Sequence, residues 1–294
     1  MRRLLMMAAA AAFLLSPVTS SPAGAINTYN AQPAPERTEV GAFMALWDGT
    51  DENPDLDRFD WVCSGTMVDE DTFLTAAHCT DDWPAGTTFY VSLEEDVQGF
   101  LDEAAEMGLN AVEARDWALS EGLIVPGTPF QDPAFPGTGA DSHDIGVLEV
   151  DADDIAALWT FTPAQLPTLN QLDELGGRQL DALDWWVVGY GTSEAERGPG
   201  GHRHLNGGVR LKALVDFNAL NRTWVRLSMN EARGYGGACY GDSGGPNFVE
   251  LPDGTLLLAA TTITGDSPCY ATNVVYRLDT PSARAFLEPF VDLP

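Results

Sequence analysis

One stretch of the sequence, the octapeptide CYGDSGGP at residues 239–246, has residue types suited to nucleophilic chemistry. Ser243 lies between small residues, so its hydroxyl oxygen can reach the surface of a cleft without steric shielding. The flanking glycines allow backbone conformations that other residues avoid. A tight bend here can therefore aim the amide groups of Gly241 and Ser243 at one point, and such an oxyanion hole stabilises acyl transfer. The alternative is a surface turn with an incidental serine.

Two upstream segments supply a base and an acid. The segment LTAAHC contains His78, and the segment DIGVL begins with Asp144. A serine hydroxyl is a poor nucleophile until a neighbouring base accepts its proton, and histidine has a suitable pKa near neutral pH. A buried carboxylate can then fix the imidazole tautomer and stabilise the imidazolium. The three segments together favour a catalytic serine over a surface turn.

These three motifs, in this order, resemble those of the chymotrypsin–trypsin family of serine proteases, and a bacterial secreted branch of it in particular. The resemblance extends from Ile26 to the C-terminus. It implies an all-β fold of two six-stranded antiparallel barrels and peptide hydrolysis through an acyl-enzyme, without a cofactor or a metal. By position, Ser243 matches the nucleophile, His78 the general base and Asp144 the residue that orients the base. The amides of Gly241 and Ser243 match the oxyanion hole.

The cysteine content predicts two disulfides. Four cysteines in an exported chain permit three pairings, and the sequence alone leaves all three open. The resemblance selects Cys63–Cys79 and Cys239–Cys269. The first would join the segment of His78 to the preceding strand, and the second would brace the nucleophile turn.

The resemblance also places a specificity pocket beside the nucleophile. Its base is Gly237, where a trypsin-like enzyme has an aspartate that binds Arg or Lys. The wall that reads Ser-Trp-Gly in the family corresponds here to the tripeptide ITG, which ends at Gly265, or to a neighbouring register. Val274 or Val275 is expected to narrow the pocket from the opposite side. We therefore expect cleavage after small or medium apolar residues.

Members of the family assemble their active site when a new N-terminus, usually isoleucine, inserts and pairs its ammonium with the aspartate before the nucleophile. That aspartate is Asp242 here. Cleavage after Ala25 would expose Ile26 directly, close to the family's distance from the first strand. Arg37 is the one basic residue between that point and the first strand, and the residues after it would insert poorly. We expect Ile26 and Asp242 to form the N-terminal latch, and export itself to activate the protein.

The N-terminal residues have the pattern of a signal peptide. Two arginines precede an apolar run from Leu4 to Leu15, which is too short to span a membrane, and an Ala-Gly-Ala cleavage site ends at Ala25. No second apolar span follows. The sequence therefore predicts that residues 1–25 are removed and that residues 26–294 are secreted as one protease domain without a membrane anchor.

The composition limits the partners. Acidic residues outnumber basic ones 44 to 15 in a chain of 294 residues, and the formal net charge is −29. Such a charge argues against nucleic acid or an anionic membrane as a partner. We expect a monomer that acts on a polypeptide substrate.

Short strands with turn signals, and no alternation of strands with helices, predict an all-β protein. The expected extents are about 40–158 for barrel one, about 180–279 for barrel two and about 280–290 for a C-terminal helix. Residues 94–122 have helical spacing in an acidic stretch and are predicted to be a surface insertion. The Gly- and Pro-rich residues 126–139 are predicted to form a loop.

Several alternatives remain open on the sequence. A secreted binding or regulatory protein with little turnover is favoured only by the altered pocket wall and the insertion. An α/β-hydrolase needs the order serine, acid, histidine, which this chain does not have, although its residues 241–245 match G-x-S-x-G. Alternating oxygen ligands at 51–57 are suited to calcium but lack the turn glycine. His202 and His204 are suited to a metal but have no obvious third ligand nearby.

Overall fold

The computed structural model describes residues 26–47, 57–198 and 201–294. The predicted signal peptide and most of the candidate calcium loop lie outside the described residues. Strands dominate the described chain, as expected for an all-β protein. The fifteen strands are β1 (Gln32–Pro33), β2 (Val40–Trp47), β3 (Arg58–Met67), β4 (Thr72–Thr75), β5 (Thr88–Ser92), β6 (Val125–Gln131), β7 (Gly146–Val150), β8 (Trp185–Gly189), β9 (Glu196–Gly198), β10 (Gly201–Arg203), β11 (Leu211–Leu220), β12 (Trp224–Ser228), β13 (Pro246–Glu250), β14 (Leu256–Gly265) and β15 (Thr272–Arg277).

The first barrel closes in the order β2-β3-β4-β7-β6-β5, with every neighbouring pair antiparallel. Successive side chains of a strand point to opposite faces. Phe43 and Met44 of β2 therefore contribute to two different clusters of the core, and both are fully buried. A register shift between these two residues in the pairing of β2 with β3 bends the strand around the barrel.

The second barrel is formed by β8, β11, β12, β15, β14 and β13, and pairing of β11 with β8 closes it. The short strand β1 adds to the outer edge of β11. Inside, Trp185 stacks on Phe217 with 5.9 Å between ring centroids. The two barrels confirm the predicted chymotrypsin-like architecture.

The prediction of a loop at 126–139 is wrong for its first part, because β6 occupies Val125–Gln131. Pro126 and Pro129 cannot donate a backbone hydrogen bond, and the sequence rule therefore counted them against a strand. Their fixed φ is nevertheless compatible with extended backbone. Closure of the barrel brings β5 and β7 to either side of this segment, and tertiary pairing overrides the local signal.

The acidic insertion forms two helices, α1 (Val97–Glu106) and α2 (Ala111–Ser120). The side chain of Asp96 caps α1, and Asn110 with Glu113 forms a capping box at the start of α2. Phe100 and Ala104 of α1 are buried in the core. The helical spacing in residues 94–122 therefore predicted the local structure correctly, and the helices pack on the barrel.

Three further helices follow, α3 (Ala152–Leu158) and α4 (Gln171–Leu180) between the barrels and α5 (Pro281–Leu287) near the C-terminus. Thr280 caps α5 and Pro281 occupies its first turn, as predicted. Among the described residues, no helix is both long and apolar enough to cross a membrane.

A buried arginine joins the two barrels. Arg210, immediately before β11, is 3% exposed. Its guanidinium donates to the carbonyl oxygens of Ala34, Val40 and Leu93 and to the hydroxyl oxygen of Tyr190. These partners belong to both halves of the chain, so the network fixes the relative position of the barrels and of the cleft between them.

Candidate active site

A cleft of about 530 Å³ lies between the barrels. Barrel one contributes His78 and the β3 residues Val62 and Cys63. Barrel two contributes Ser243 with the residues around it. The nucleophile and base named from the sequence therefore line the same cleft.

Strand pairing brings the predicted base and acid together. His78 lies in a short 3-10 turn directly after β4, and Asp144 lies just before β7. The two strands are antiparallel, with Thr75 opposite Gly146. The end of one strand is consequently adjacent to the beginning of the other, which explains how residues distant in sequence meet.

The imidazole of His78 contacts the carboxylate of Asp144. The distances from Nδ1 are 2.9 Å to Oδ2 and 3.1 Å to Oδ1, and the backbone N–H of His78 donates to Oδ1 at 3.0 Å. The side chain of Asp144 is 10% exposed and that of His78 is 34% exposed. A proton on Nδ1, shared with a carboxylate, leaves Nε2 as the free base of the neutral ring.

The turn that carries Ser243 has the backbone conformations that its glycines allow. Gly241 has φ +93° and Gly244 has φ +76°. A Cβ atom on Gly244 would overlap Oγ1 of Thr75, so this position requires glycine for space as well as for conformation. The amide of Gly244 donates to the carbonyl of Thr262 at 2.7 Å, and the amide of Ser64 donates to the carbonyl of Ser243 at 2.9 Å. Both barrels thus hold the nucleophile turn.

Ser64 holds the peptide unit next to the expected oxyanion hole. Its hydroxyl donates to the carbonyl of Gly241 at 2.9 Å and accepts the backbone N–H of Tyr190 at 3.0 Å. Residue Gly241 is one of the two expected oxyanion donors, so Ser64 restrains the backbone on which that donor depends.

Asp242 is fully buried behind the nucleophile turn. Its carboxylate accepts the backbone N–H groups of Gly191 and Cys239, each at 2.8 Å. A Cβ atom on either Gly189 or Gly191 would overlap the carboxylate oxygens. The two glycines of the Gly-Tyr-Gly turn therefore leave the space that this side chain occupies. Burial raises the pKa of Asp242 to about 7, although both N–H groups favour the charged form.

The segment that begins at Ile26 packs beside this carboxylate. Ile26 is fully buried, and its N–H donates to the carbonyl of Gly191 at 3.2 Å. The next side chain, Asn27, is also fully buried. It accepts the N–H of Gly237 at 3.0 Å and donates to the carbonyl of Cys269 at 3.1 Å. The segment therefore joins two stretches of chain beside the cleft.

This arrangement predicts a pH dependence of stability. In a form that continues upstream of Ile26, Asp242 has no ammonium partner. Because its folded pKa of about 7 exceeds the ordinary value of 3.8, its contribution to stability is fully present below about pH 4 and is lost as the pH rises through 7. We expect the melting temperature of this form to fall over that range more than that of a form beginning at Ile26. Parallel melting profiles of the two forms would contradict this.

The structure contains both disulfides that the resemblance selected. Cys63 is bonded to Cys79, 16 residues apart, and Cys239 to Cys269, 30 residues apart. The first bond closes a loop worth about 3 kcal/mol in the chain-entropy model and ties the segment of His78 to β3. The second lies at the wall of the cleft.

The residues named for the specificity pocket separate into two groups. Gly265 lines the cleft, whereas Gly237, Val274 and Val275 are not among the described residues that line it, and Val275 is fully buried in the core of barrel two. A Cβ atom on Gly237 would overlap Sδ of the buried Met229. Asn273 lines the cleft next to Val274. Asn273 is paired with Gly265, which also lines the cleft, and a register shift lies between Thr262 and Thr264 in the same pairing of β14 with β15.

Among the described residues that line the cleft, Asp266 is the one acidic side chain. Its carboxylate accepts the backbone N–H groups of Tyr270, Ala271 and Thr272. These bonds occupy both oxygens in holding the loop that carries Cys269. The role of Asp266 in this structure is therefore to shape the loop.

The other histidines have local partners. Nδ1 of His204 lies 3.0 Å from the carbonyl of Ser193 and 3.2 Å from Sγ of Cys239. That sulfur belongs to a disulfide, so it is not a thiolate ligand for a metal. Nδ1 of His143 lies 2.8 Å from the carboxylate of Asp132. The side chain of His202 lies outside the described residues.

Comparison with known proteins agrees with this architecture. Two closed six-stranded barrels with a cleft between them define a chymotrypsin-like fold. The family model described as Trypsin matches residues 42–284, and the chain belongs to this family of serine proteases.

Two similar proteins come from Anopheles gambiae. CLIP domain-containing serine protease B15 is 25% identical over 240 residues, which cover 78% of this chain and 63% of that protein. CLIP domain-containing serine protease B4 is 26% identical over 224 residues, which cover 74% and 58%. The chain thus spans less than two thirds of the length of these relatives. Both are insect proteins, so the bacterial branch suggested by the sequence is not confirmed.

Proposed function

We propose that this protein is a secreted serine endopeptidase that hydrolyses polypeptides through an acyl-enzyme on Ser243. The observation that carries the proposal is the contact of His78 with the buried Asp144 in the cleft that Ser243 also lines. In this mechanism, Nε2 of His78 accepts the proton of the serine hydroxyl as its oxygen attacks the scissile carbonyl. The same nitrogen then donates that proton to the leaving amine.

The negative charge that develops on the substrate carbonyl oxygen needs donors that are already in place. The backbone N–H groups of Gly241 and Ser243 are the proposed donors, and the bonds that hold their turn keep them from reorganising during the reaction. Asp144 supports the imidazolium that forms as the proton moves. Water enters after the amine leaves and, with His78 as base, releases the acyl group from Ser243.

A burst experiment tests the acyl-enzyme. Mixing the protein with an excess of an activated p-nitrophenyl ester should release p-nitrophenol in a burst equal to the enzyme concentration, followed by slower turnover. Ser243→Ala should give no burst, whereas Ser120→Ala, at an exposed serine at the end of α2, should keep it. A folded wild-type protein with no burst and no turnover would favour the alternative, a secreted binding or regulatory protein.

Specificity for an uncharged residue before the scissile bond is the second part of the proposal. Gly237 supplies no carboxylate, and the carboxylate of Asp266 is held in its loop by three backbone N–H groups. Asn273 lines the cleft without adding charge, and its amide donates to the buried Asn247 at 3.3 Å. Chromogenic peptides that end in Ala, Val or Leu should therefore be cleaved with a kcat/KM at least about tenfold above those that end in Arg or Lys.

A single variant sharpens this test. Thr264 lines the cleft with an exposed side chain, so Thr264→Asp adds a carboxylate there and should raise cleavage after Arg or Lys relative to wild type. A wild-type preference for Arg would contradict the proposal.

Two further parts of the proposal concern the N-terminus and export. Ile26 and Asp242 are proposed to form the latch, with Gly191 in contact with both. Removal of residues 1–25 on export would generate that N-terminus and release the protein outside the cell.

A further inference from the structure

We propose that the helical insertion positions the oxyanion hole through one hydrogen-bonded pair, Gln98 and Trp61. The proposal rests on the proposed function, because an oxyanion hole matters only if Ser243 is acylated. It assigns a role to residues 94–122, which otherwise are an addition to the first barrel.

The indole of Trp61 lies against the backbone of the nucleophile turn. Trp61 belongs to β3 of barrel one. A Cβ atom on Gly241 would overlap its Cζ3, and a Cβ atom on Gly207 would lie 2.6 Å from both Cη2 and Cζ2. The six-membered ring is therefore in close contact with two glycine backbones of barrel two. One of these, Gly241, carries a proposed oxyanion donor.

The other end of the indole is held by the insertion. Nε1 of Trp61 donates to Oε1 of Gln98 at 3.2 Å. A Cβ atom on Gly208 would lie 2.7 Å from Nε1 of Trp61 and 2.8 Å from Cβ of Gln98, so this glycine lets the three groups approach. The orientation of the ring is fixed by a directional bond in addition to packing.

Gln98 is itself restrained at its side chain and its backbone. Its Nε2 donates to Oδ1 of Asp102, one helical turn later, at 2.8 Å. This bond orients the amide so that its oxygen faces Trp61. The backbone N–H groups of Val97 and Gln98 both donate to the carbonyl of Gly208, at 2.8 and 3.1 Å. The start of α1, a helix inserted in barrel one, is therefore also hydrogen-bonded to barrel two.

The amide of Gly241 is thus restrained from two directions. The indole packs on the residue, and the hydroxyl of Ser64 binds its carbonyl oxygen. An oxyanion donor acts fully only when it is held at its working position before the charge develops. Releasing the indole should allow the N–H of Gly241 to move away from its working position. The transition state would then be stabilised less, whereas substrate binding in the ground state would be unchanged. Gln98 and Trp61 are positioning residues in this account.

The test compares Gln98→Leu with Gln179→Leu, the same substitution on an exposed part of α4. Gln98→Leu should lower kcat about tenfold with little change in KM, since a misplacement of about 1 Å can cost about 100-fold in rate and a smaller drift costs less. A peptide boronate, which forms a tetrahedral adduct on the serine, should bind more weakly by the same factor. Gln179→Leu should leave both values unchanged.

Two further variants separate positioning from general stability. Gln98→Glu combined with Asp102→Asn keeps both hydrogen bonds. The new Glu side chain accepts from the indole N–H of Trp61, and it also accepts from the Asn amide that replaces the Asp102 carboxylate. This double variant should therefore restore most of kcat. Trp61→Phe removes the indole N–H, and adding Gln98→Leu to it should cost little more.

The outcomes are distinct. Wild-type kcat and boronate affinity in a folded Gln98→Leu protein would overturn the proposal, as would equal losses in Gln98→Leu and the rescue pair. A lower melting temperature with unchanged kcat would also overturn it, because it would show a purely structural role. An inactive wild-type protein that ignores the boronate would instead refute the proposed function.

Discussion

Replacing Ser243 with alanine is expected to remove nearly all peptidase activity. The serine oxygen is the atom that would form the acyl bond. We expect kcat to fall by about 10⁶-fold, with a residual rate of at most about 10³–10⁴ over water from oxyanion binding. The measurement is steady-state hydrolysis of a chromogenic peptide with an apolar residue before the scissile bond.

His78 and Asp144 should act with Ser243 as one catalytic unit. His78→Ala should cost about as much as Ser243→Ala, and the double variant should cost little more. Asp144→Asn should lower kcat by about 10⁴-fold, because an amide can stabilise the wrong tautomer of His78. Fully additive losses in the double variant, or wild-type turnover in Ser243→Ala, would show that another residue is the nucleophile.

Extending the chain at Ile26 is expected to have the second largest effect. Ile26 is fully buried, and Asp242 is buried with only backbone N–H partners. An ionised carboxylate buried without a cation costs several kcal/mol. A protein made with an uncleaved methionine before Ile26 should therefore be at least about 100-fold less active at pH 8, where Asp242 is driven to ionise.

The lysine content makes this latch easy to probe chemically. Lys212 is the one lysine of the sequence, so in a protein of residues 26–294 the substitution Lys212→Arg leaves the N-terminal ammonium as the single amine. In that variant, cyanate should react slowly with the active protein, because the ammonium is buried, and quickly after unfolding. N-terminal sequencing of the active secreted protein should begin at Ile26. A start well downstream, or full activity with the extra methionine, would refute the latch.

Sequence reasoning succeeded where short motifs and local periodicity carry the information. The motifs predicted that His78, Asp144 and Ser243 meet: His78 and Ser243 line one cleft, and Asp144 contacts His78. The helical spacing in residues 94–122 indicated helices. Both disulfide pairings followed from the resemblance once the motifs were recognised.

Features that depend on register and on contacts between distant segments were not accessible in this way. Asn273 lines the cleft where a valine was expected, and no property of the neighbouring valines reveals it. The strand at 125–131 forms because two neighbours pair with it, against the local signal of its prolines. The position of Trp61 against the nucleophile turn depends on contacts between distant segments. The adjacent glycines Gly207 and Gly208 were the one available sign that a large side chain approaches the backbone there.

The most direct test of the central claim is covalent labelling of the native protein with a fluorophosphonate, followed by peptide mapping. An activated serine should take up one phosphonyl group per molecule, on Ser243 alone, and labelling should stop in Ser243→Ala and slow strongly in His78→Ala. The exposed Ser120→Ala variant should label like wild type. Stoichiometric labelling at Ser243 is the result we predict. A correctly folded protein that remains unlabelled, or that is labelled at another residue, would contradict a catalytic role for Ser243.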